Sequence, residues 1–243
     1  MDRLLTRRAA TTLVLVAATV VATLAAWIWL AGGGLVHPHA SSITPGAFWA
    51  AVVMWQAMMV AMMTPTVMPW VLAYGRLAGD GPTQQTLLAP LVFAGGYFAI
   101  WLIYSVAAAG LQMALIGAGV LGDGGPAPAL AGVVLLAAGA FQCAPARQAC
   151  LTHCRNPLSY LLSRWNGGPP GAFGLGVRHG AYCVGCCWML MLTGFAIGLM
   201  NLAWMATLTL VMSLEQAAPR GLLIGRVFGV VLMIWGARLC WPA

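Results

Sequence analysis

Long apolar stretches separated by short breaks rich in glycine, proline or arginine dominate the chain from residue 10 onward. A bilayer-spanning helix needs roughly 20 predominantly apolar residues, since every backbone polar group must be satisfied within the segment. About seven stretches qualify: Ala10–Ala31, Phe48–Tyr74, Leu87–Ile116, Ala127–Ala146, Ala172–Thr193, Leu199–Gln216 and Leu222–Cys240. The third is long enough to require tilt or an interfacial end. The fifth and sixth are predicted as a tight hairpin, with only Gly194 and Gly198 to mark its turn, and Gly122–Pro128 reads as another turn. Pro65 and Pro69 should kink the second helix and free backbone carbonyls. Pro145 should break the fourth, leaving Cys150–Cys154 as a separate interfacial turn. The pattern predicts an all-α, polytopic transmembrane bundle of about seven helices.

Composition agrees. Hydrophobic residues make up 62% of the chain and charged residues only 6%, against about 25% charged in ordinary soluble domains. Such a chain cannot cover its own surface with polar groups, which excludes a soluble enzyme and makes lipid part of its solvent. All eleven basic residues are Arg, and they lie between apolar runs rather than in a basic patch. No nucleic-acid partner is therefore expected. Arginine in short loops marks the cytoplasmic side. With the N-terminus in the cytoplasm, Arg3, Arg7, Arg8, Arg76, Arg147, Arg155, Arg164 and Arg220 fall in inner segments. Arg178 and Arg226 lie near inner helix ends, and Arg238 alone falls outside. The outer loops carry His37, His39 and Asp123. This places the chain in a bacterial inner membrane, with the first helix retained as an anchor rather than cleaved as a signal peptide.

The chemistry lies in two cysteine groups. Cys143, Cys150 and Cys154 follow the fourth stretch in FQCAPARQACLTHCRNP, and Cys183, Cys186 and Cys187 lie in RHGAYCVGCCW. The arginine bias puts both toward the reducing cytoplasm, where thiols are metal ligands or redox groups rather than structural disulfides. On a helix Cys150 and Cys154 share a face, with His153 beside them. His179, Cys183, Cys186 and Cys187 form one stripe at i, i+4, i+7 and i+8. The short connection makes these helices natural neighbours, so thiolate and imidazole are expected to converge. In the second stretch, Met58 and Met62 repeat in helical register from Met54, beside a row of Met59 and Met63. Methionine is also an ordinary core filler. Next to six clustered thiols, however, its soft thioether tilts the metal from Zn²⁺ toward Cu(I), although Cys/His sets also suit zinc. Gln56, Gln142 and Asn201 are expected to hydrogen-bond between helices. Glu215 is expected to pair with Arg220 or, alternatively, to support His179.

These stretches resemble a bacterial family of predicted metal-binding integral membrane proteins, which includes an accessory copper chaperone of a polyphenol oxidase (tyrosinase). The resemblance rests on Met54-Trp55, Ala61-Met62-Met63, Pro65, Gln142, Pro145, Cys150-Leu151, His153-Cys154-Arg155 and Pro157. It continues through Trp165, Gly168, Gly171-Ala172, Gly180, Tyr182-Cys183, Gly185-Cys186-Cys187-Trp188, Met191, Met200-Asn201, Trp204-Met205, Glu215 and Pro219. It covers Phe48 to the C-terminus, and the YCxGCCW element is its most specific part. This chain has Phe141 where the family usually has Tyr, and Arg147 where it has Lys. Cys143 falls outside the pattern. The resemblance implies copper binding and delivery to a partner cuproenzyme, and no enzymatic activity. It divides the chain into an anchor helix with its outer loop, 1–47, and a metal-binding membrane domain, 48–243.

The expected metal ligands are Cys150, His153, Cys154, His179, Cys183, Cys186 and Cys187, with Met58, Met59, Met62 and Met63 as a relay or shelter. Two other functions fit the same residues. One is a copper or zinc permease, against which stands the near absence of intramembrane carboxylates. The other is a thiol–disulfide oxidoreductase using Cys183 and Cys186 with Cys150 and Cys154 as a shuttle pair.

Overall fold

The computed structural model describes residues 2–32, 44–77, 83–121, 126–164, 168–198 and 201–241. Within them the chain is wholly helical, in nine helices: α1 Asp2–Ala31, α2 Pro45–Leu77, α3 Thr83–Gly117, α4 Pro128–Cys143, α5 Pro145–Cys154, α6 Pro157–Ser163, α7 Gly168–Ile197, α8 Leu202–Ala217 and α9 Gly221–Cys240. His37, His39, Asp123, Trp165 and Met200 lie outside the described residues, as do most of the Gly122–Pro128 turn and the side chains of Arg3, Arg7 and Arg8.

The expected count of about seven helices is corrected to nine among the described residues. The excess comes from prolines. α4, α5 and α6 each open with Pro in the first turn, where its missing N–H is not needed. Ala144 takes an extended conformation ahead of Pro145, and α5 leaves α4 at 65°. Five helices, α1, α2, α3, α7 and α9, are long and apolar enough to cross a membrane, or six if α4 and α5 form one broken span. α8 has 16 residues, about 24 Å of helix, short of the roughly 30 Å hydrocarbon core. Of the two glycines expected to mark the break, Gly194 lies inside α7, and Gly198 follows its last residue. Gly198 has φ +120°, a conformation that side chains disfavour.

Proline inside α2 is accommodated rather than avoided. Pro65 has no N–H to give the carbonyl of Ala61, and the indole N–H of Trp27 on α1 donates to that oxygen at 3.2 Å instead. α2 runs unbroken through both prolines and packs against α1, α3 and α8. α7 packs against α3, α4 and α5, while α4 lies along α9.

Two of these interfaces are made by glycine. A Cβ on Gly96 would strike the Phe173 carbonyl, and one on Gly176 the Phe93 carbonyl, so α3 and α7 meet backbone to backbone. Gly132, Gly139, Gly229 and Gly236 do the same for α4 and α9. Small residues at helix contacts are how apolar helices gain close packing.

Of the polar groups in apolar runs, Gln56 accepts from Ser105 at 3.0 Å and Gln142 donates to Glu215 at 3.2 Å, both between helices as expected. Asn201 does something else. It caps α8, its side-chain oxygen accepting from the Trp204 N–H at 3.0 Å.

Candidate metal centre

The centre is built on one face of α7. His179, Cys183, Cys186 and Cys187 recur at the helical period and all point inward, none more than 2% exposed. The sulfurs of Cys183, Cys186 and Cys187 lie within 4.8 Å of one another. Their geometry is fixed locally, because the thiols of Cys186 and Cys187 both donate to the Cys183 carbonyl, at 3.1 and 2.8 Å. The break at Pro145 swings α5 across this face. It brings the buried thiol of Cys154 beside Cys183 and Cys186. Cys150 is half-buried one turn away, its sulfur 3.4 Å from where a Cβ on Gly185 would sit. All of these cysteines are free thiols.

α3 and α2 close the centre from the other side. The Tyr97 hydroxyl lies 3.1 Å from Cys183 Sγ and 3.4 Å from Thr66 Oγ1. Thr66 in turn donates to the Met63 carbonyl at 2.8 Å and lies 3.9 Å from its sulfur. Trp70 donates its indole N–H to the Cys154 carbonyl at 3.1 Å and stacks on His179 with ring centres 3.8 Å apart.

A family profile described as PpoB2, copper chaperone, matches residues 52–239. The chain belongs to this copper chaperone family. No curated relative and no solved structure matches it.

A copper chaperone is an accessory protein, not an enzyme, which removes the oxidoreductase expectation, and it implies a copper-requiring recipient. The donors present fit such a cargo. The converging group holds thiols alone, with no carboxylate or imidazole in it, and soft sulfur selects soft ions.

For the chaperone, the structure brings together some expected ligands and separates others. Cys183, Cys186 and Cys187 converge, and Cys154 lies beside them, outside the group whose sulfurs are all within 4.8 Å of one another. His153 and His179 occupy an aromatic box beside the sulfurs. His153 stacks on Tyr182 at 3.8 Å and lies edge-on to Tyr160 at 4.2 Å. Both imidazoles keep a buried nitrogen with no hydrogen-bond partner in the protein, Nδ1 of His179 and Nε2 of His153, and neither belongs to the group of ligand atoms within 4.8 Å of one another. Met58, Met59, Met62 and Met63 are all buried on α2. The contacts that tie α2 to the thiols run through Met63, Thr66 and Trp70.

Two residues were misplaced by the sequence. Arg147, counted above as an inner loop arginine, is 1% exposed. Its Nε donates to the Cys186 carbonyl at 3.0 Å and its Nη2 pairs with Glu215. Glu215 therefore pairs with neither Arg220 nor His179; its partners are Arg147 and Gln142. A carboxylate inside an apolar stretch requires a buried partner, and that rule could have pointed to an arginine near the cysteines. Arg155 is structural: it donates to the carbonyls of Glu215, Ala218 and Pro219 and finishes α8. Tyr97, Thr66 and Trp70 carried no signal of their own, since aromatic and β-branched residues in an apolar run read as core.

Proposed function

We propose that this protein is an integral membrane chaperone that holds Cu(I) on Cys154, Cys183, Cys186 and Cys187 and hands it to a cuproenzyme. The observation that carries this reading is the group of three buried thiols on one face of α7, joined by a fourth from α5. His179 and His153 complete the donor set as the ion is exchanged, through nitrogens that no protein donor occupies. Cys150, only half-buried, is the thiol through which the ion enters or leaves. The methionines of α2, led by Met63, shelter the ion during transfer, since exchange among soft ligands is fast.

Membrane insertion is supported by the outer surface. Leu13, Val21 and Ile28 of α1, and Val227 and Ile234 of α9, are all more than half exposed. An apolar exterior of this extent fits hydrocarbon better than water. Arg147 now drops out of the orientation argument. Arg3, Arg7, Arg8, Arg76, Arg155, Arg164, Arg178, Arg220 and Arg226 still stand against Arg238, which supports a cytoplasmic N-terminus in a bacterial inner membrane. Residues 1–47 then act as anchor and outer loop, and 48–243 as the metal-binding domain.

The test is anaerobic metal analysis of the detergent-solubilised protein after equal exposure to Cu(I) and Zn²⁺, beside a C183S/C186S/C187S variant. Copper held by the native chain and lost from the variant is the expected result. Zinc held in its place would remove Cu(I) as the cargo. Copper flux into proteoliposomes containing this protein alone would replace delivery with transport.

A further inference from the structure

Among the described residues Arg147 is the one buried arginine and Glu215 the one buried carboxylate, and the pair sits against the thiol-bearing turn of α7. We propose that Arg147, held by Glu215 and Gln142, is a specificity residue that favours a monovalent over a divalent ion at the cysteine cluster. This rests on the metal-binding reading above.

The pair is polarised. The guanidinium faces α7, its Nε donating to the Cys186 carbonyl at 3.0 Å. Glu215 makes no described hydrogen bond to α7, although its carboxyl feels the Cys186 thiol, and it is held from α4 by Gln142 at 3.2 Å. The end that hydrogen-bonds to the thiol-bearing turn is therefore the cation. Four thiolates around a monovalent ion carry three negative charges, and around a divalent ion two. A fixed positive charge beside them stabilises the first state more than the second, and in an apolar interior that difference is weakly screened.

Stability alone does not account for the pair. Removing two charges from water costs so much that a buried ion pair is often no better than apolar side chains of the same volume. The fold nonetheless makes room for it. α9 passes with Gly225 at the contact, where a Cβ would collide with Glu215 and come within 2.9 Å of Arg147 Nη1. Four helices besides α5 are thus arranged around the pair: α7 through a carbonyl, α4 and α8 through Gln142 and Glu215, and α9 through Gly225.

The experiment compares the ratio of Cu(I) to Zn²⁺ affinity, each measured by chelator competition in detergent, in the native protein and in R147K, R147Q/E215Q and E215Q. Arg147→Lys keeps the charge and should keep the ratio. The neutral double variant should lose about tenfold of the preference for Cu(I). Glu215→Gln leaves Arg147 without its counter-charge and should move the ratio the opposite way, toward Cu(I). That opposite sign is a readout a structural role does not produce, and it serves even if the double variant does not fold. Equal losses of both affinities, with the ratio unchanged, would overturn the inference while leaving the copper site standing. A native protein that holds neither metal at its cysteines would overturn both.

Discussion

Tyr97 on α3 and Cys183 on α7 touch across a helix interface, oxygen to sulfur at 3.1 Å. The contact joins a residue that looks like core to a fully buried thiol of the cluster. It continues through Thr66 to Met63, so the Tyr97 hydroxyl links three helices.

Replacing Tyr97 with Phe keeps the ring and removes the hydroxyl. Cys183 then loses its partner across the interface while the packing stays. A net hydrogen bond is worth about 1 kcal/mol, so Cu(I) affinity should fall about fivefold. Competition against a chromophoric chelator measures it, with thermal unfolding in detergent as the check on fold. An affinity equal to native would mean that Tyr97 is packing alone.

That interface exists because Gly176 lets α3 and α7 touch. A Cβ at this position would overlap the Phe93 carbonyl, which is backbone and cannot rotate away. Gly176→Val should force the helices apart, at a cost of about 1–3 kcal/mol, and should weaken copper retention by displacing Tyr97. Gly174 is the control on the same helix, since a Cβ there meets nothing within 4 Å. Gly174→Ala should leave both unfolding and copper retention unchanged.

The helical period made part of this site legible. The spacing of His179, Cys183, Cys186 and Cys187 has one solution on a helix, an inward stripe, and α7 takes it. Pro145 likewise announced the bend that lets α5 cross α7. What the period does not carry is which helix faces which. Arg147 follows a proline break, so it resembled a solvated loop charge. Its burial depends on Glu215, which lies on α8, three helices later along the chain. Asn201 was misread for a related reason: beside a glycine turn its side chain caps the helix that follows. At α8 the apolar run is longer than the helix it forms, which has 16 residues.

Cys150 and Cys154 share a helix face in sequence but not a burial class in the fold. Cys154 is 2% exposed and lies beside Cys183 and Cys186, whereas Cys150 is half-buried beside Gly185. Cys154→Ser should therefore lower Cu(I) affinity by about tenfold or more, while Cys150→Ser should leave it within about threefold and slow release to an acceptor chelator. Equilibrium competition and stopped-flow transfer separate the two effects. The reverse pattern would make Cys150 the resident ligand.

The methionines of α2 divide in the same way. Met63 is tied to the thiols through Thr66 and Tyr97, whereas Met58, Met59 and Met62 are buried on the same helix without a described contact to sulfur. Met→Leu nearly conserves volume and costs less than about 1.5 kcal/mol in a core, so it removes the thioether with little damage to packing. If the row shelters the ion in transit, the M58L/M59L/M62L/M63L variant should keep its unfolding temperature and its copper at equilibrium, yet transfer copper more slowly. Met63→Leu alone should account for most of that loss, being nearest to the chain of contacts that ends at Cys183. Unchanged transfer in the quadruple variant would leave these four side chains as core filler, the role that flexible thioethers commonly play.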